Sequence, residues 1–158
     1  MDALPRIALT GATGFVGQAL LPMLLSRGFP VRALARARPN RKLDPRSGLD
    51  WIAGDLTNTP ALERLSQGAD TVIHLAGVTK ARTADEFDAV NAHQTASLVF
   101  IAKAAGVKHF VHVSSLTAIR PSVSAYARSK AKSERLAGER AGDMPLTIVR
   151  APAILGPG

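Results

Sequence analysis

The chain has 158 residues, 46% of them hydrophobic and 20% charged, with a formal charge of +8 and a pI near 10.8. That length suits one domain, which buries about two-thirds of the surface its unfolded chain exposes. The absence of cysteine excludes a disulfide framework, a thiolate metal site and a cysteine nucleophile.

Aromatic residues make up only 4% of the chain, too few for extensive stacking on bases, so the positive charge alone does not make a nucleic-acid site. No apolar run reaches the length of a membrane span, and Met1-Asp2 opens without the basic start of a secretory signal. The expectation is a soluble, cytoplasmic protein with neither nucleic acid nor membrane as partner.

In chain order, the apolar run Ile7-Ala8-Leu9 predicts a buried strand, and Thr10-Gly11-Ala12-Thr13-Gly14-Phe15-Val16-Gly17 follows it. Phe15 to Arg27 carries Val16, Leu20, Leu24 and Leu25 at helical spacing, so the stretch is a strand-to-helix turn. Gly11, Gly14 and Gly17 let the backbone turn tightly, approach a ligand and pack the helix on the strand. The free N–H groups and positive dipole end of that helix suit a pyrophosphate. Gly28 stops the helix and Pro30 to Ala35 predicts a second strand. The result is the β-α-β unit of about 30 residues that dinucleotide binding demands.

Pro39 to Gly48 is broken by Pro39, Pro45 and Gly48 and predicts a surface loop, and Arg36, Arg38, Arg41, Lys42 and Arg46 make one basic stretch into it with only Asp44 opposing. Leu49 to Ala53 predicts a third strand, ending at Gly54-Asp55-Leu56. Thr59 as N-cap and Pro60 at the first helical position predict a short helix to Gly68. Thr71 to Ala76 is a nearly continuous apolar run, as in a strand covered on both faces. Thr83 to Ala105 predicts one long helix, Phe110 to Val113 a fifth strand, Ser124 to Ala141 a second long helix, and Leu146 to Val149 a sixth strand.

This alternation predicts an α/β doubly wound parallel sheet, a three-layer α/β/α Rossmann fold. Ligands of such sheets bind beyond the carboxyl ends of the strands. The stretches 11–17, 35–36, 55–56, 76–77, 114–115 and 151–152 all fall there.

An acidic residue at the end of the second strand would hold a ribose diol, and an arginine nearby would accommodate a 2′-phosphate. Ala35 occupies the acidic place and Arg36 follows, which favours NADP over NAD. Tyr126 and Lys130, four apart on a helix, share one face. A neighbouring ammonium favours phenolate, which makes Tyr126 a plausible acid/base. Ser115, just past the fifth strand, can orient a substrate oxygen. Ser114 is adjacent and either hydroxyl could point inward; Ser115 is preferred. His74, His93, His109 and His112 lack metal-ligand spacing, and His74 and His112 are read as packed or partly solvated.

With these residues in view, the chain resembles the extended branch of the short-chain dehydrogenase/reductase superfamily, the NAD(P)-dependent epimerase/dehydratase family. TGATGFVG at 10–17 is similar to its glycine motif, Gly54-Asp55-Leu56 to its adenine-contacting element, and His74-Leu75-Ala76-Gly77 to its segment beneath the nicotinamide-side ribose. Val90-Asn91 resembles the position whose asparagine supports the cofactor site, though Gln94 stands where glycine is usual. The stretch from Gly106 to Ser115 is similar to the strand ending in the catalytic serine or threonine, and Tyr126 with Lys130 matches the superfamily's YxxxK. Arg150 to Gly158 is similar to the post-strand segment, with Ala151 where proline is frequent.

The resemblance implies an oxidoreductase, epimerase or dehydratase acting on a hydroxyl or carbonyl by hydride transfer. Tyr126 would be the acid/base, Lys130 would bind the nicotinamide ribose and lower the tyrosine pKa, and Ser115 would position the substrate. The cofactor would contact Gly11, Thr13, Gly14, Phe15, Val16, Gly17, Arg36, Asp55, Leu56, Leu75, Ala76, Gly77, Asn91, Tyr126, Lys130 and Pro152. A small-molecule substrate is the implied partner, with room for a homodimer. The rival reading is a catalytically silent NAD(P)-binding module that serves as a sensor or assembly subunit.

Two departures qualify the match. Tyr126 comes 11 positions after Ser115, a shorter loop than many sugar-nucleotide enzymes have, which points away from a nucleotide sugar. The chain also stops at Gly158, where family members continue into elements that build most of the substrate pocket. Residues 1–158 are therefore expected to be the Rossmann domain of a truncated form.

Overall fold

Six parallel strands form one sheet in the order β3-β2-β1-β4-β5-β6 in the computed structural model, which describes residues 3–36 and 47–156. The strands are β1 (Ile7–Thr10), β2 (Val31–Ala35), β3 (Leu49–Ala53), β4 (Thr71–His74), β5 (His109–Ser115) and β6 (Leu146–Ala151). This is the doubly wound order, with its switch point between β1 and β4. Arg38, Arg41, Lys42 and Arg46 of the expected basic loop lie outside the described residues.

Side chains alternate across the sheet, as the two-residue period of a strand requires. Ile7 and Leu9 face one way, with Val31 and Ala33, and pack against Leu21 and Leu24 of α1 (Phe15–Ser26). Ala8, Leu34, Val72 and Phe110 face the other way. They pack against α2 (Thr59–Ser66), α4 (Thr95–Ala104) and α5 (Ala125–Ala141) through Leu62, Leu65, Leu98, Val99 and Ala137. No helix among the described residues is long and apolar enough to cross a membrane.

Two expectations need correction. The cap of α2 is Asn58, whose Oδ1 accepts from Ala61 N at 3.0 Å, so Thr59 already lies inside the helix. An asparagine side chain reaches the third helical N–H as well as a threonine does, and it stands one residue earlier. The expected single helix 83–105 is three pieces: α3 (Ala84–Phe87), a π-helical segment (Asp88–Gln94) and α4. The wider π turn inserts a residue and shifts the phase of the side chains, which places Asn91 inward.

Candidate functional site

The glycine turn is shaped by backbone contacts. Gly11 has φ +72°, and a Cβ there would stand 2.8 Å from Ala76 N and 2.9 Å from the Leu75 carbonyl carbon. A Cβ on Gly17 would collide with the Gly11 carbonyl oxygen and Ala12. Gly14 differs: its backbone is extended, and a Cβ would approach only Gly11 O, at 3.2 Å. The fold leaves space above Gly14, where a bound group can come close. Asn58, Thr83 and Ser124 cap α2, α3 and α5 with their side chains, whereas the start of α1 has neither a side-chain cap nor an acidic residue in its first turn. Its first N–H groups and positive dipole end are therefore left for an anion. The turn fits a dinucleotide diphosphate.

At the neighbouring strand ends, Arg36 is exposed beyond β2. Asp55, beyond β3, accepts from Thr57 Oγ1 at 2.6 Å and Thr57 N at 2.8 Å. Those two bonds hold its carboxyl below the usual range, and the Arg36 charge adds to them. Leu56 packs on the core.

A buried polar row runs under the switch point. Thr95 Oγ1 donates to Asn91 O at 2.8 Å, so it must accept from His74 Nε2, also at 2.8 Å. His74 Nδ1 is then bare and accepts from Thr10 Oγ1 at 2.7 Å, and that hydroxyl accepts from Ala76 N at 3.3 Å. His74 is fully buried, not partly solvated; burial, His112 and Lys130 push it well below the usual histidine range and keep it neutral. Asn91 continues the row. Its Oδ1 accepts from Val78 N at 2.8 Å, and its Nδ2 donates to Val78 O at 2.9 Å and Ser129 Oγ at 3.1 Å.

Tyr126, Lys130 and Ser115 line one cavity of about 940 Å³, together with Phe15, Val16, Leu75, Gly77, Asn91 and Pro152. Gly11, Thr13, Gly14 and Ala76 belong to the adjoining turns, Gly17 to the first turn of α1, and Arg36, Asp55 and Leu56 sit by the ends of β2 and β3; none of them lines this cavity. The Tyr126 ring is half-buried and meets Phe87 edge-on, with centroids 5.9 Å apart. Lys130 is 5% exposed and donates to Val113 O at 3.1 Å. Burial lowers its pKa to about 8, partly offset by Glu134.

The two serines divide their work. Ser114 is buried and donates to Glu134 Oε1 at 2.6 Å, while Ser115 Oγ meets Thr117 Oγ1 at 2.9 Å and caps the turn that follows. Glu134 also takes both guanidinium nitrogens Nε and Nη2 of Arg150, the closest contact being 2.7 Å. Burial alone would raise its carboxyl; Arg150 and Ser114 outweigh that and hold it below the usual range. His112, stacked on His74 with centroids 5.5 Å apart, is lowered to about 3 by burial and by Lys130. Sequence reasoning missed Glu134 and Arg150. The signal was present on α5, because Glu134 follows Lys130 by the same four residues that separate Lys130 from Tyr126.

A family model described as "NAD dependent epimerase/dehydratase family" matches residues 7–158. The chain belongs to this family. It is 43% identical over 157 residues to the ceramide reductase of Caulobacter vibrioides (strain NA1000 / CB15N), covering 99% of this chain and 49% of that one. It is 35% identical over 120 residues to the 3 beta-hydroxysteroid dehydrogenase/Delta 5-->4-isomerase of Mycobacterium tuberculosis (strain ATCC 25618 / H37Rv), covering 71% and 32%. A short-chain dehydrogenase/reductase superfamily protein from Agrobacterium tumefaciens, solved with bound NAD, superposes with a TM-score of 0.76 at 28% identity, covering 92% and 48%. The chain thus spans half or less of the length of these family relatives.

Proposed function

We propose that the chain is the cofactor-binding part of an NAD(P)-dependent oxidoreductase that interconverts a ketone and a secondary alcohol. The observation that carries this reading is the single cavity shared by the start of α1, Ser115, Tyr126 and Lys130. Among the family's reactions, the relatives' names, a reductase and a dehydrogenase/isomerase, favour net oxidation or reduction over epimerisation or dehydration.

Gly11, Gly14 and Gly17 would seat the diphosphate, with Thr13, Phe15 and Val16 beside it; Asp55 and Leu56 would hold the adenine, and Leu75, Ala76, Gly77, Asn91 and Pro152 the nicotinamide side. Arg36, exposed just beyond β2, would meet a 2′-phosphate with no carboxylate at Ala35 to repel it, which supports NADP. A nicotinamide held there would supply or accept the hydride. In reduction, Tyr126 would give its hydroxyl proton to the substrate's carbonyl oxygen, and solvent would later replace that proton. Ser115 Oγ donates to the same oxygen as its negative charge develops. Lys130, charged below about pH 8, holds the ribose and favours the phenolate needed for the reverse direction.

The test uses the full-length protein that carries this chain, with NADPH oxidation followed on a panel of ketones beside a cofactor titration. Tyr126→Phe is expected to lower kcat by about 10²- to 10⁴-fold while the NADPH dissociation constant stays within about threefold. Unchanged turnover would remove Tyr126 from the reaction. Wild-type binding without turnover of any ketone or alcohol would return the silent module.

A further inference from the structure

We infer that the substrate carries a long apolar chain, which lies along Leu116, Ile119 and Val123 of the β5–α5 connection and Ile154 beyond β6. This deepens the proposed oxidoreductase reading and rests on it.

The four side chains line the same cavity as Tyr126 and Lys130, yet they are 49%, 55%, 62% and 48% exposed, in that order. Their arrangement runs against simple burial. In the turn Leu116–Ile119, the small Ala118 goes into the interior, at 6% exposed, while the larger Leu116 and Ile119 face outward. The wall is also held in place. Ser115 Oγ accepts from Thr117 N at 3.3 Å, Arg120 N donates to Thr117 O at 2.9 Å, and Val123 N donates to Arg120 O at 3.2 Å. An apolar patch held outward beside reactive groups marks a ligand surface.

The polar groups of the cavity narrow the ligand class. Ser115, Tyr126 and Lys130 belong to the end where β5 and α5 meet, Thr117 and the exposed Arg120 stand between the aliphatic side chains of the wall, and no carboxylate lines the cavity among the described residues. A sugar's ring of hydroxyls would find only Thr117 and Arg120 as hydrogen-bonding partners along this wall and would lose its water against the four aliphatic side chains. A methylene chain loses nothing polar and covers the exposed side chains. The occupant is therefore a ketone or alcohol with an extended hydrocarbon tail.

The test is a homologous series of straight-chain 2-ketones, from about four to about twelve carbons, reduced by the full-length protein with NADPH. Over the lengths that reach the wall, kcat/KM is expected to rise about two- to fourfold per added methylene. In the Ile119→Ser/Val123→Ser double variant the loss should grow with chain length, so that the slope is at least halved. A flat series with steady turnover would overturn the hydrocarbon tail and leave the oxidoreductase standing. No turnover across the series, with NADPH bound, would instead sink the oxidoreductase reading. Equal loss at every length in the double variant, with a lowered Tm, would show that the wall packs against protein and would also overturn the inference.

Discussion

The two sides of the site are built from different materials. At the start of α1 the shape comes from backbone: Gly11 and Gly17 are small because the chain passes close by, and the donors offered are main-chain N–H groups. At the end of β5 it comes from side chains: Lys130 and Glu134 on α5 reach Val113, Ser114 and Arg150 on the strands. A backbone site tolerates substitution only where space is free. A side-chain site depends instead on partners far apart in sequence.

The largest expected effect contrasts two glycines of one turn. Gly17→Ala should destabilise the fold by about 3 kcal/mol, the upper end of overpacking costs, because its Cβ meets main chain that cannot step aside. Gly14→Ala should stay within about 1 kcal/mol of wild type, yet weaken dinucleotide binding. Thermal unfolding beside an NADPH titration checks both, and equal losses of Tm would break the distinction.

Next comes Glu134→Gln, which strips the charge that Arg150 and Ser114 satisfy and should cost about 1–3 kcal/mol near neutral pH. Glu134 has its carboxyl lowered on folding, so its contribution is present above the ordinary glutamate pKa and fades as pH falls through the folded value. The Tm gap between wild type and variant should therefore close in acid; a gap that persists there would mean the carboxylate charge is not what matters. The smallest effect is at Arg36, which is exposed. Arg36→Ala should weaken NADPH binding about five- to tenfold and NADH binding hardly at all. Equal weakening of both would remove the basis for favouring NADP.

The same division explains what the sequence discloses. The turn at Thr10 to Gly17 is legible because a close main-chain approach demands glycine, and the demand is local. The alternation of strands and helices gives the doubly wound sheet for the same local reason. The helix break at Asp88–Gln94 leaves no such mark, since a π turn needs no special residue and Ala89, Asn91 and Ala92 do not betray a shift of phase. The Glu134–Arg150 pair is hidden until β5 and β6 are in register, with Ser114 opposite Arg150. Likewise, His74 and His112 read as isolated imidazoles until pairing sets them side by side.

The row from Ala76 through Thr10, His74 and Thr95 to Asn91 has a single polarity, each member passing one proton in the same sense. A doubly wound sheet opens a crevice where its strand order reverses, and that seam is where the two halves are most easily prised apart. Here β1, β4 and the segment leading into α4 are stitched across it from below. The floor of the crevice thus keeps one width, and neither half can drift without leaving a buried hydroxyl or ring nitrogen stranded.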